Sequence, residues 1–128
     1  MTDGSSLTRE ITQGRIDAYA EASGDHNPIH VDPAFAATTP FGGPIAHGML
    51  VLALIGEVMY RDHGDAWSAG GRLKVRFKAP TRPGARVTAS AIFVRETDGA
   101  REYAVQCADD AGEVLIEGRA SVPAAARP

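Results

Sequence analysis

Hydrophobic positions recur at helical spacing in the first half of the chain and alternate singly in the second. A short strand is expected near Leu7 to Ile11. Thr12 then caps a helix in which Ile16, Tyr19 and Ala20 share a face, and Gly24 suits its exit. Asp32 before Pro33 reads as an N-cap with proline at the first helical position, opening a short turn through Phe35 and Ala36 that TTPFGGP ends. From Pro44 or Ile45 to about Tyr60 the pattern is again helical, but residues 49 to 55 are apolar on every side. Such a helix must be surrounded. Its Gly56 costs about 1 kcal/mol relative to Ala inside a helix, so the position calls for a packing or pocket reason.

The segment RLKVRFKA alternates Leu73, Val75 and Phe77 with Arg72, Lys74, Arg76 and Lys78, the period of a strand with one greasy and one cationic face. Further strands are expected over 85–96, 101–108 and 113–122. In the last of these, Val114, Ile116, Ala120 and Val122 alternate with Glu113, Glu117, Arg119 and Ser121. TRPG, TDGA and DDAG between them carry the residues that tight turns favour. A run of adjacent antiparallel strands with one buried helix is an α+β fold, the sheet curling round the helix.

Length and charge narrow the picture further. A chain of 128 residues fits one domain, 1–128, and buries about two thirds of its unfolded surface without staples. Thirteen basic against sixteen acidic residues leave a net charge of -3, with no general attraction to nucleic acid or an anionic membrane. MLVLALIG is far shorter than the roughly 20 residues a membrane span needs, so it is read as core. Cys107 is the single cysteine and the polar opening MTDGSSLTRE lacks the apolar stretch of a secretory signal, so a cytoplasmic protein is expected.

The chemistry concentrates in SGDHNPIH, where Asp25 and His30 share one short segment. Three readings stand side by side. The segment is a plain turn, since Asp and Asn bond nearby backbone and Pro28 fixes φ. It supplies zinc ligands with His26, His30 and His47, but Pro28 prevents the helix that would put His26 and His30 on one face, and the spacings match no usual ligand pattern, so no metal is expected. Or it performs acid and base chemistry, a carboxylate and an imidazole gripping one water from two sides.

His47 and Gly48 fall in the first turn of the buried helix, where the leading N–H groups lack partners and the dipole is positive. A carbonyl oxygen resting on the Gly48 N–H would be polarised as it gains charge. The bland alternatives are a satisfied half-buried His47 and a Gly48 that packs against a strand. Trp67, His63 and Cys107 receive no role, Trp67 being expected in a Gly-rich connection over the core.

Taken together, GDHNPIHVD, FAATTPFGGPIAHGM and VRFKAPTRPGARVTA closely resemble the MaoC-like family of hot-dog-fold dehydratases, and within it the R-specific enoyl-CoA hydratases. The resemblance covers roughly 8 to 122. It implies a long central helix wrapped by an antiparallel sheet and a homodimer with two sites. It also implies hydration of a trans-2-enoyl-CoA to a (3R)-hydroxyacyl-CoA and the reverse, with Asp25 and His30 as the catalytic pair and the Gly48 N–H as oxyanion donor. No cofactor is implied, and the partner is the acyl-CoA substrate.

Asn27, His47, Val51, Leu52 and Ile55 are the expected substrate-binding residues, the acyl chain lying along the helix. Arg72, Lys74, Arg76, Lys78 and Arg82 are candidates for the carrier's phosphates, although a solvated strand face explains the first four equally well. The chain departs from the resemblance at Gly56, where several R-specific hydratases carry a Ser that helps hold the catalytic Asp. Two rivals remain. A thioesterase on this fold would use a carboxylate within the central helix, where Glu57 is the acidic residue, and a noncatalytic acyl-CoA binding module would have no need of Asp25 and His30.

Overall fold

The computed structural model describes residues 4–124. Strand β1 (Gly4–Ile11) runs into helix α1 (Gln13–Ser23), which Thr12 caps by accepting from the Arg15 N–H and which ends at Gly24 in the left-handed region, φ 78°. Two single-turn helices follow, α2 (Pro28–Val31) and α3 (Pro33–Ala36), each opened by a proline behind an Asx cap, Asn27 and Asp32. The first corrects the sequence expectation: Pro28 does not break the segment but starts a helical turn, because the N–H it lacks is one that no first helical residue uses. Helix α4 spans Gly48–His63, starting three to four residues later than expected, since Pro44 to His47 stay out of the helix and His47 itself is extended. After it, α5 (Asp65–Gly70) replaces the expected connection around Trp67, whose ring packs half-buried against the core.

The remaining strands are β2 (Arg72–Phe77), β3 (Ala85–Thr97), β4 (Ala100–Asp109) and β5 (Val114–Pro123). They join β1 in one antiparallel sheet of order β1-β3-β4-β5-β2. The β3–β4 link is a two-residue hairpin in which Asp98 and Gly99 both take positive φ, 52° and 76°, as the sheet's twist prefers. TRPG, by contrast, makes no hairpin. Strand β2 pairs with β5 at the far edge and β3 with β1, so residues 78–84 carry the chain across the sheet. A bulge in β5 starts this crossing. Register slips past Leu115, which leaves Leu115 and Ile116 both buried and frees the Leu115 carbonyl to accept from the N–H groups of Lys78 and Ala79.

The sheet curls round α4 in the hot-dog arrangement, but a single chain covers only one stripe of that helix. Val51, Leu54, Ile55, Val58 and Met59 are buried at helical spacing against β1, β3 and β4. Met49 and Tyr60 are exposed and Leu52 and Gly56 half-buried, so the expected full enclosure is not provided by one copy. A Cβ at Gly56 would meet nothing within 4 Å, so no packing reason for that glycine exists among the described residues. Cys107 lies in the core with its thiol toward the Val51 carbonyl, and burial pushes that thiol up to about 12. Among the described residues no helix is long and apolar enough to cross a membrane.

Gly118 sits where β5 meets the edge strand, and a Cβ there would lie 2.0 Å from the Lys74 carbonyl oxygen. Gly118→Ala is therefore expected to destabilise the fold by about 1–3 kcal/mol, the usual cost of overpacking. An unchanged urea midpoint would show that β2 is not held where the sheet order puts it.

Candidate active site

The site is assembled by the extended stretch that precedes α4. Its Ile45 N–H donates to the Ile29 carbonyl and its Ala46 N–H to the Thr81 carbonyl, tying it between the α2 segment and the crossing 78–84 linker. Its carbonyls and side chains then reach the SGDHNPIH segment. The Ile45 carbonyl lies 2.8 Å from His30 Nδ1, and His47 Nε2 lies 2.9 Å from the Asp25 carbonyl oxygen. The His30 and His47 rings stack with centroids 3.8 Å apart, and the edge of Tyr19 closes on His47 at 4.8 Å.

These contacts fix protons. A carbonyl only accepts, so His30 donates from Nδ1, and its neutral form has the lone pair on Nε2. His30 is thus set as a proton acceptor. His47 by the same rule carries its hydrogen on Nε2. Asp25 is exposed, and its Oδ1 accepts from the Asn27 N–H at 3.2 Å. That bond, made by Asn27's backbone, braces Asp25 from within its own turn, while the Asn27 side chain caps α2 by accepting from Ile29. A carboxylate oxygen of Asp25 and a ring nitrogen each of His30 and His47 lie within 4.8 Å of one another. One water making two bonds of about 2.8 Å spans such a separation.

A metal fits the same atoms poorly. Zinc would need imidazole nitrogens converging on one point about 2.0–2.1 Å away. Rings stacked at an interplanar angle of 28° direct their lone pairs along nearly parallel planes rather than toward one point. His26 points elsewhere, toward Glu21 at 3.8 Å, and does not join the group.

Gly48 is the first residue of α4, with His47 as its cap, and neither Gly48 nor Met49 has a partner for its N–H among the described residues. The donors are exposed at the positive end of the helix dipole. Gly48 also packs: a Cβ there would stand 2.8 Å from the Phe77 ring. Beside it opens a recess of about 360 Å³, lined by Phe41, Ile45, Gly48, Val51, Phe77 and Lys78 among others. Of the expected acyl-contact residues, Val51 lines this recess and Leu52 is half-buried on the open flank of α4. Ile55 is fully enclosed in the core and supports the wall from behind.

Glu57 does not serve as a free carboxylate. Arg9 grips it with two hydrogen bonds, 2.6 and 3.1 Å, which hold its carboxyl below the usual range, and Arg61 adds a third contact. The longer helix adds a second acidic residue, Asp62, which accepts from the Ser5 hydroxyl. A thioesterase built on Glu57 would first have to break that clamp. Sequence reasoning gave no signal for three contributors: Tyr19, the Ile45 carbonyl and the Thr81 carbonyl. Tyr19 looked like one more core position of α1, and backbone carbonyls have no residue signature.

Comparison with known proteins follows the same line. Residues 3–114 match the model of the MaoC like domain. A 3-hydroxyacyl-thioester dehydratase Z of Mycobacterium tuberculosis is 45% identical over 92 residues, covering 69% of this chain but only 61% of that protein. An (R)-specific enoyl-CoA hydratase of Aeromonas caviae is 32% identical over 118 residues, 91% of this chain and 88% of its own. Among solved structures, an R-hydratase of Pseudomonas aeruginosa superposes with a TM-score of 0.83 at 29% identity, covering 97% of this chain and 81% of that one. The (R)-hydratase of A. caviae gives 0.80 at 30% identity, covering 95% and 94%. With a family model spanning most of its length and an antiparallel sheet curled round the central helix, the chain belongs to the MaoC-like dehydratase family.

Proposed function

We propose that the protein adds water to a trans-2-enoyl-CoA to give a (3R)-hydroxyacyl-CoA, and catalyses the reverse dehydration. The observation that carries the reading is the gathering of an Asp25 carboxylate oxygen and a His30 ring nitrogen within 4.8 Å, beside a Gly48 N–H that has no partner among the described residues. In this scheme the thioester carbonyl accepts from Gly48, which draws electron density from the β-carbon. A water donating one hydrogen to Asp25 and one to His30 has a lone pair left to attack that carbon. As the C–O bond forms, one water O–H bond breaks and the pair holds its proton. The α-carbon, carrying the enolate electron pair, then takes a proton from the pair, so atoms and charge balance.

The thioester lies in the recess beside Phe77, and the acyl chain continues past Val51 and Leu52, with Ile55 as backing. Asn27 and His47 shape the site from below. Lys78 at the mouth, with Arg72, Lys74, Arg76 and Arg82 nearby in sequence, offers charge to the carrier's phosphates. The same reading takes residues 1–128 as one domain, core about 8–122, working in the cytoplasm without a cofactor.

A homodimer belongs to it as well. The uncovered side of α4 and the half-exposed inner residues of β2, Leu73, Val75 and Phe77, leave the apolar face open at the β2 edge. A second copy joining there would cover both. The outer side of β2 is wholly cationic, so two such strands side by side repel. Sedimentation at micromolar concentration is expected to give the mass of two chains, with association tightening as salt rises. A fully active monomer would sink the dimer.

Asp25→Asn and His30→Gln keep size and some hydrogen bonding while removing proton transfer. Each is expected to lower turnover of crotonyl-CoA, followed by loss of its conjugated-thioester absorbance, by roughly 10² to 10⁴ with little change in binding by calorimetry. The double variant should be far less than multiplicatively worse. Turnover near wild type in both single variants would return SGDHNPIH to a structural turn.

For the carbonyl donor the comparison is Gly48→Pro against Gly48→Ala, both in a Phe77→Ala background that makes room for the new Cβ. Proline is tolerated at a first helical position, so the helix survives while the N–H is lost. The proline variant should turn over about 10² to 10³ more slowly than the alanine variant. Equal rates would remove Gly48 from the mechanism.

A further inference from the structure

Two buried side-chain nitrogens lack a hydrogen-bond partner among the described residues, His47 Nδ1 and His63 Nε2. His63 ends α4 beside the Tyr103 ring, 5.1 Å away, and burial pushes its imidazole down, so it sits as a neutral ring in a packed corner. His47 is different because its ring touches every part of the proton-transfer device. It is 2% exposed, donates to the Asp25 carbonyl, stacks on His30 and meets the edge of Tyr19, and its own residue caps α4 one position before Gly48.

We infer that His47 is a positioning residue that sets the spacing of Asp25, His30 and Gly48 through its Nε2–H and its ring face, and transfers no proton itself. The inference rests on the hydratase reading of the Asp25–His30 pair. Three observations carry it.

First, Asp25 sits in an exposed turn just after Gly24. Among the described residues its other hydrogen bonds stay within the same turn, one donated to the Ser23 hydroxyl and one accepted from the Asn27 N–H. The bond from His47 is the one that ties Asp25 to α4, and so to the carbonyl donor.

Second, phenylalanine would reproduce the stack on His30 and the contact with Tyr19, and would leave no bare atom. The chain instead buries Nδ1 as an acceptor without a donor, which folding disfavours. What histidine offers over phenylalanine at this place is the Nε2–H on Asp25.

Third, the ring is enclosed. A ring 2% exposed, with its one hydrogen engaged by a carbonyl, is poorly placed to exchange protons with substrate or solvent. The groups facing it are Asp25 from its turn, His30 from α2 and Tyr19 from α1. Positioning of this kind matters kinetically because a displacement of about 1 Å can cost on the order of 10²-fold in rate.

Two substitutions separate the contributions. His47→Phe keeps the ring and removes the N–H, whereas His47→Gln keeps an amide N–H able to reach Asp25 and removes the ring. Turnover and KM for crotonyl-CoA and the thermal midpoint are measured for both, alone and combined with Asp25→Asn. His47→Phe should lower kcat by about 10 to 10² with KM changed less than about threefold, and His47→Gln should recover at least about fivefold of that loss. Beside Asp25→Asn, His47→Phe should cost less than about twofold more, because it acts through Asp25.

Full activity of His47→Phe overturns the inference, and so does a loss that stays multiplicative beside Asp25→Asn, which would mean that His47 meets the substrate itself. If His47→Phe fails to fold, His47→Gln decides: a kcat loss as large as that of Asp25→Asn overturns the inference, and a loss within about tenfold supports it. Asp25→Asn alone reports separately on the hydratase reading, and wild-type turnover there ends both.

Discussion

Everything at the candidate site hangs on the three residues that lead into α4 without joining it, Ile45 to His47. Backbone outside a helix leaves its N–H and C=O groups free to bond sideways, and here each direction is used. Ile45 takes Ile29 and His30 on one side, Ala46 takes Thr81 on the other, and His47 reaches back to Asp25. Had α4 begun at Pro44, as hydrophobic patterning suggests, those carbonyls would have turned along the helix axis and His30 would have lost the acceptor that sets its tautomer. The late start of the helix is what places a bare imidazole nitrogen, a carboxylate and an unpaired helix N–H in one neighbourhood.

The same arrangement explains why the crossing linker matters to chemistry it does not perform. Residues 78–84 leave the end of β2 because the Leu115 bulge offers its carbonyl to Lys78 and Ala79, and they pass under the helix start with Thr81 almost fully buried. A tight hairpin there would have put β3 beside β2, with no carbonyl left to hold Ala46. The bulge and the Thr81 carbonyl thus help decide where Gly48 stands, and Phe77 at the end of β2 then crowds any side chain at that position.

How legible this was from the sequence varies with the range of the interaction. Local devices were readable: Thr12 and Asp32 as caps, Gly24 as an exit and Asp98–Gly99 as a hairpin all work through neighbours within four residues, and all stand as expected. The central helix, the alternating strands and the resemblance that named the family were also readable. What escaped were choices made by distant partners. Nothing in RLKVRFKA says that its neighbour is β5, nothing in the alternation of 113–122 shows the bulge at Leu115, and Pro28 signals either a break or a first turn depending on Asn27. At the site the residue types of Asp25, His30, His47 and Gly48 were visible, whereas the two imidazoles are oriented by backbone carbonyls, of Ile45 and of Asp25, which no side chain announces.

Strand β2 carries opposite instructions on its two faces. Its inner side, with the bare flank of α4, is apolar surface that water would rather not wet. Its outer side is a row of like charges at the edge of a sheet, the device by which proteins discourage open-ended strand pairing. The proposed closed pair of copies would answer both, because a two-fold contact would bury the apolar side of both chains and leave no further edge of that kind to recruit a third. The open space at Gly56 fits within this picture. A glycine that costs the helix stability, and whose added Cβ would meet nothing among the described residues, is understandable on the flank that the proposed second copy would face, where close approach of another backbone or of an acyl chain would give a missing side chain its purpose.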